Sequence, residues 1–386
     1  MKKIIYIITL NAIHCLSFSQ QNVTIKGVIT DANNTTIPYA SIGILSKNTG
    51  TVSNEEGAFI FELTESNLND TLSVSTIGFT SFKIRIQDFL ELNEKVIVLE
   101  EEPVLLDEIV LTLPITIVKE ALKKLKETTY RKPHQLNVLY RRFSNENNIS
   151  RFLVEQYIKV LDTGPTSSTF NAIEIAQSRK SNDYRYVKKK QKFHAVEMIA
   201  KQNPLRKGIS LKKFNWETID YTSYDGEDVI IVEGKEKGKP QKWIRLYIGY
   251  KTRSIYKLEK SDLKAVYIYK KNKEGKLVLS YHNREYVFWE TISPYMQKLL
   301  KLEKDEIKLS YRHEAVVLGI EYKSKSIRVN DNLSVGKDIG DYNIAYQQNF
   351  WNNINLPPDS KFYKTSSKQL ELLYGIPLEN QFKTPK

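Results

Sequence analysis

The chain of 386 residues carries 58 Lys and Arg against 45 Asp and Glu, a net charge of +13, and a single cysteine. That length suggests two domains, and 41 % hydrophobic with 27 % charged residues is the composition of a folded soluble protein, which argues against a disordered chain and against a polytopic membrane protein. One cysteine excludes a disulfide framework and a Cys-rich zinc module.

The chain opens with the layout of an export signal. Lys2 and Lys3 precede an apolar run, Ile4 to Leu16, of 13 residues, short of the roughly 20 that a membrane-spanning helix needs. Ser17, Phe18 and Ser19 then give small-x-small, so a signal peptide over 1–20 with cleavage near Gln20 is expected. Cys15 offers a competing lipoprotein reading, but His14 before it is not the small residue that such processing wants. Cleavage leaves the mature chain without cysteine, in an oxidising compartment.

Charge then divides the chain. Residues 21–113 hold 5 Lys and Arg against 14 Asp and Glu, whereas 114–386 hold 51 against 31. A sign change of this size, flanked by Pro103 and Pro114, places a domain boundary between 21–113 and 114–386. Either each surface is simply solvated, or the acidic module docks on the basic one or on a basic partner.

Within 21–113 the hydrophobic period is two, broken by turn residues every eight to twelve positions. Candidate strands are 23–30, 40–45, 58–63, 71–77, 81–86, 95–99 and 105–111. Asp31, Asn33 and Asn34 suit a side-chain-bonded turn, and Gly50, Gly57 and Gly78 admit positive φ. A sheet with one buried face follows. The series GVITD (27–31), PYASI (38–42), GTVSNEEGAF (50–59), LSVSTIGF (72–79), VIVLE (96–100) and LLDEIV (105–110) resembles the carboxypeptidase-like regulatory domain. The resemblance implies a seven-stranded prealbumin-like β-sandwich, common in exported Bacteroidetes proteins. Asn54 stands where that family usually has Asp. The resemblance implies no peptidase: the regulatory domain is non-catalytic, and 21–113 has no histidine to ligate the zinc such a site needs.

Pro114 starts a predicted helix with Val118, Ala121, Leu122 and Leu125 on one face and lysines elsewhere, ending before Pro133. It either lies on a membrane surface or packs on the sheet that follows. Strands are expected at 136–143, 152–161, 228–233, 243–249, 254–260, 264–270, 276–282, 285–289 and 311–322, with helices at 193–202 and 294–304. The fold class is mainly β: the sandwich, then a larger, basic, Tyr-rich α+β domain built on an extended antiparallel sheet, which can be curved. The stretches 114–143, 154–161, 243–259, 350–363 and 377–382 are similar to the C-terminal region of Bacteroidetes proteins that begin with the same module. The hairpin around Ile248 to Thr252 resembles strand pairs of periplasmic lipoprotein-carrier and lipoprotein-sorting proteins, whose curved sheet wraps a hydrophobic cavity, although Gly249 stands where Asp is usual there.

No catalytic constellation emerges. His134, His194, His282 and His313 lack metal-ligand spacing, and no nucleophile elbow, phosphate loop or dinucleotide fingerprint is present. No cofactor or metal site is expected. The run 179–194 brings together Arg185, Lys188, Lys189, Lys190 and Lys192 with Tyr184 and Tyr186, either a solvated loop or a candidate site for an anionic envelope surface. Nucleic acid is not an expected partner of an exported chain. Tyr267 and Tyr269 share a sheet face with Ala265, opposite Val266 and Ile268, and form either core or a lining for an apolar ligand. The expected function is a non-enzymatic exported envelope protein, periplasmic or outer-membrane associated, in which the sandwich contacts protein or glycan. The alternative is a carrier or sensor holding a lipid or other apolar ligand in a curved-sheet cavity.

Overall fold

A computed structural model describes residues 22–102, 104, 112–188, 195–334 and 336–383. The expected export signal, the expected strand 105–111, and Lys189, Lys190 and Lys192 lie outside these residues.

The N-terminal module contains β1 (Asn22–Thr30), β2 (Ser41–Ile44), β3 (Thr49–Val52), β4 (Ala58–Thr64), β5 (Thr71–Ser75), β6 (Phe82–Arg85), α1 (Ile86–Glu91) and β7 (Val96–Val98). One sheet runs β4-β1-β7; the other faces it with β3-β2-β5-β6. Alternation places Ile25, Ile29, Ile42, Ile44, Phe59, Phe61, Leu72 and Val74 between them in one buried cluster. β3 was not among the expected strands, because Gly50 reads as a turn; here Gly50 pairs with Gly43, and a Cβ on either would strike backbone of the neighbouring strand. Gly57 takes φ +72 in the turn before β4, where a Cβ would lie 2.5 Å from the Ile29 carbonyl oxygen. At that turn Asn54 Oδ1 accepts from the amides of Glu56 and Ala58, while Nδ2 donates to the Pro358 carbonyl at 3.4 Å. An Asp could make the turn but not that donation.

Beyond it come α2 (Pro114–Thr128), β8 (His134–Glu146), β9 (Ile149–Asp162), β10 (Ala172–Lys180), α3 (Glu197–Lys201), α4 (Pro204–Lys207), β11 (Phe214–Tyr224), β12 (Glu227–Glu236), β13 (Lys239–Gly249), β14 (Ile255–Lys260), β15 (Ala265–Lys271), β16 (Leu277–Thr291), α5 (Pro294–Leu300) and β17 (Glu306–Glu321). The chain closes with α6 (Gln348–Asn352), α7 (Lys361–Leu372) and α8 (Leu378–Lys383). Strands β11 to β17 pair in sequence order, and β17 then pairs with β8, β8 with β9, and β9 with β10, all antiparallel. This large sheet curls around α2, whose Ile117, Val118, Ala121 and Leu125 enter the main buried cluster; the helix expected from its spacing packs on β11, β13 and β14. Two expected strands, 276–282 and 285–289, are one continuous β16, because the polar His282 and Arg284 that break the pattern point into the interior.

The convex side is covered by the C-terminal segment and the sandwich. Glu155, wholly buried, accepts from Arg141 Nε at 2.7 Å and Arg179 Nε at 2.6 Å, while Arg141 lies over the Tyr363 ring and Arg179 over Trp351 and Phe382. On the concave side Arg142 holds Asp338 with both terminal nitrogens, at 2.5 and 2.6 Å. The two modules touch: Gly319 of β17 bridges Thr49 of β3, Arg312 pairs with Glu55, and Tyr39 stacks on Tyr281 at 4.6 Å.

Two outcomes follow. Glu155→Gln leaves two buried guanidiniums without their counter-charge, so it is expected to cost about 3–5 kcal/mol, read from the urea midpoint. Burial alone would raise the Asp338 carboxyl, but the Arg142 charge and hydrogen bonds, with the Gly340 amide, bring it from 3.8 to about 2. Its contribution is therefore present above the ordinary value and lost as pH falls from about 4 towards 2. Asp338→Asn should lower stability at pH 7 and flatten that acid limb of the stability curve.

Candidate functional site: the concave trough

Ala265, Tyr267 and Tyr269 alternate along β15 onto one face, as their spacing predicts, and that face is the concave one. They line the floor beneath α2 together with Leu246 and Leu258. Both tyrosines are buried, the Tyr269 hydroxyl accepting from Asn203 Nδ2 at 2.7 Å, and Tyr267 lying against His282 with ring centroids 4.2 Å apart. Ile268, on the opposite face, packs with Tyr39 and Leu318.

Moving along this face from the α2 cluster towards the C-terminal part of β8, the residues change from aliphatic to polar. Tyr267 pairs across strands with His282, Arg284 pairs with His313, and His313 pairs with Arg142. Tyr140 and His313 share a 2.8 Å hydrogen bond through the hydroxyl and Nδ1. Arg284 is 2 % exposed. Its terminal nitrogens donate to Gln202 Oε1 at 2.8 Å and to the Ala195 carbonyl at 2.7 Å, both neutral acceptors. Its Nε has no acceptor, and it makes no ion pair among the described residues.

A buried guanidinium cannot escape its charge by deprotonating, so it must be met by an acceptor or remain a cost. His282 answers to the same field. Burial, then the Arg284 charge, hold it well below the ordinary 6.5, so it is neutral at pH 7. Because Nδ1 faces the Val266 carbonyl at 2.9 Å, the proton sits there and donates, leaving Nε2 as an acceptor without a donor among the described residues. The polar end thus presents one unmatched cation and one unmatched lone pair, an arrangement that recognises a polar head.

The cationic run fares differently. Arg185 donates to both oxygens of Asp183, at 2.8 and 2.9 Å, and stacks on Phe152 at 4.4 Å. Lys188, largely exposed, pairs with the same Asp183 at 3.1 Å. The structure brings these two candidates together on one carboxylate. Arg284 escaped the sequence reading because it falls in the break expected between two strands, whereas His282 ended the expected strand 276–282 and was read only as a histidine without metal-ligand spacing. Their i, i+2 spacing within an otherwise β-rich run was the available signal. Among the described residues no group of three or more His, Cys, Asp and Glu is placed to hold a metal, and no helix is long and apolar enough to cross a membrane.

Residues 25–111 match the model of the CarboxypepD_reg-like domain, so the N-terminal sandwich is a module of that kind. No curated protein matches the chain in sequence. Among solved structures, a DUF1329 family protein from Desulfovibrio piger is similar at 11 % identity, covering 56 % of this chain and 96 % of that one, with a TM-score of 0.26. A LolA superfamily protein from Nitrosomonas europaea is similar at 12 % identity, covering 52 % and 93 %, with a TM-score of 0.18. A chain of the Pseudomonas aeruginosa MucA/MucB complex is similar at 8 % identity, covering 55 % and 100 %, with a TM-score of 0.19.

If Arg284 serves a ligand and not the fold, Arg284→Met should melt at or above the wild-type temperature, whereas Arg141→Met, which takes one of the two arginines from the wholly buried Glu155 and leaves it only Arg179, should melt below it. Thermal unfolding followed by circular dichroism distinguishes the two.

Proposed function

We propose that the chain is a non-enzymatic binding protein of the cell envelope that carries or senses an amphiphile, an acyl chain bearing a polar head. The observation that supports this most is the gradient along the concave trough, from an aliphatic and tyrosine floor under α2 to the unmatched Arg284 and His282. The acyl chain would occupy the place of the apolar face of α2, and the head would meet Arg284.

α2 is suited to move. It is one helix of 15 residues, tied at its rim by the Glu120–Arg253 pair at 2.8 Å and by the Lys276 ammonium on the Glu127 carbonyl. Surface pairs of this kind contribute little, about 0–1 kcal/mol each. Its displacement exchanges apolar contacts with the helix for apolar contacts with a ligand, so the exchange is close to balanced. The export signal expected from 1–20 places such a carrier where lipids and lipoproteins need escort.

A contact module is the second reading, favoured by the open edge of the sandwich. Among the described residues β7 borders the β4-β1-β7 sheet, with Val96 and Val98 exposed, and an extended partner segment can add to such an edge.

The mature chain, purified without detergent and extracted into organic solvent, is expected to release lipid detectable by mass spectrometry. Long-chain fatty acid should bind wild type saturably, and Arg284→Met should weaken it about ten-fold while leaving the alcohol of equal length unchanged. Lipid-free protein that binds neither, with a partner cross-linked through β7, would establish the contact reading instead.

A further inference from the structure

A cavity lies where the sandwich meets the basic region. It has a volume of about 150 Å³. Its floor comes from β2 and β5: Ile42, Ile44, Leu72 and Val74 point into the sandwich core, so Ser41, Ser73 and Ser75 point out of it. Its roof is the end of β15 and the turn that follows, Lys270 to Lys273.

The charge in this cleft is one-sided. Lys83, Lys270, Lys271 and Lys273 line it against a single carboxylate, Asp225. Asp225 is already engaged, by Lys271 at 3.3 Å and by the Ser81 hydroxyl at 3.3 Å. Lys83 and Lys273 stand exposed at the rim. Lys270 is different, being only partly exposed and on the same strand face as Ile268, which packs beneath Tyr39. It makes no ion pair among the described residues. Burial lowers its ammonium from 10.5 to about 8, with no opposing charge to hold it up. Asn272 adds a side-chain amide: its Oδ1 is taken by the amides of Glu274 and Lys276, and its Nδ2 lies by the Tyr322 hydroxyl, which lines the same cavity.

We infer that this inter-module cleft binds an oxyanion, a carboxylate or phosphate carried on a small ligand, with the Lys270 ammonium as its counter-charge and Ser73, Ser75 and Asn272 as donors. A shielded ammonium with no carboxylate paired to it among the described residues, next to hydroxyls on a rigid sheet and a side-chain amide, is complementary to a group that brings negative charge and several acceptor oxygens. The volume suits a head group or a small acid and excludes a folded partner. Because the floor belongs to the sandwich and the roof to the basic region, the anion bridges them, and occupancy stabilises their docking by mass action.

This site is separate from the concave trough, so its test is independent of the amphiphile. Inorganic phosphate and acetate are titrated into the mature chain by calorimetry and thermal shift, and vesicles with and without phosphatidic acid are assayed by sedimentation. Saturable binding of either free anion, weakened about ten-fold or more by Lys270→Met but little by the rim change Lys273→Met, supports a small soluble ligand. Binding confined to phosphatidic acid vesicles, and lost with Lys270→Met, supports a lipid head group as the source. Lys270→Met should itself melt no lower than wild type, because it removes a poorly solvated charge. Ser73→Asp, which places a carboxylate beside Lys270, should raise the melting temperature and abolish anion binding. Equal anion binding by wild type, Lys270→Met and Ser73→Asp, or no binding by wild type, overturns the assignment.

Discussion

A strand has two edges, and the length of β17 decides how the whole chain is arranged. It pairs with β8 along one edge nearly throughout, and with β16 along the other only as far as Val316. The remainder of that second edge would expose unpaired backbone groups, and the fold resolves this by placing β3 there, bridging Thr49 to Gly319 and the Asn48 carbonyl to the Ile320 amide at 3.2 Å. At the same point the β8 register shifts, between Val317 and Gly319. The sandwich is thereby fixed at one end of the sheet, and the cleft above Ser73 and Lys270 follows from where it lands.

The two sides of the curled sheet handle charge in opposite ways. On the convex side Glu155 is matched by two arginines, both roofed by aromatic rings of the C-terminal helices, so the cations there are structural. On the concave side Arg142 is matched by Asp338, but Arg284, two strands away, meets only neutral oxygens. Proteins keep few buried charges without partners. The contrast between a matched triad and a guanidinium without an ion pair among the described residues, on the same sheet, is what the proposed binding reading rests on.

Acidic and basic halves do dock, though through few ion pairs. Arg312 pairs with Glu55 across a junction that also carries hydrogen bonds such as the Gly78 amide on the Ser223 carbonyl at 2.7 Å and the Gly226 amide on the Glu102 carboxylate at 2.8 Å. The excess of positive charge at the cleft is left over from this docking, because the sandwich offers serines and not carboxylates on the face it presents there.

Period-two alternation gave most of the strands and the inward face of Tyr267 and Tyr269, because each face choice is local: once Ala265 is buried, 267 and 269 must be too. The helix at Pro114 and the turn glycines were legible for the same reason. Breaks in the pattern were misleading where burial was polar. Arg284 read as a gap and Gly50 as a turn, since nothing nearby in the chain reveals that a polar or side-chain-free position faces a neighbouring strand. The C-terminal helices were also missed, as their apolar positions are paid out among residues that acquire meaning only against β9 and β10. By itself, then, the sequence determined the sandwich, the β-rich character and the change of charge along the chain, all set by composition and short-range spacing, and it carries the expectation of an export signal. Tertiary structure alone decided which cations are matched and which are not, because a partner such as Asp338 for Arg142 lies 196 residues away and the lack of one for Arg284 or Lys270 exists only in three dimensions.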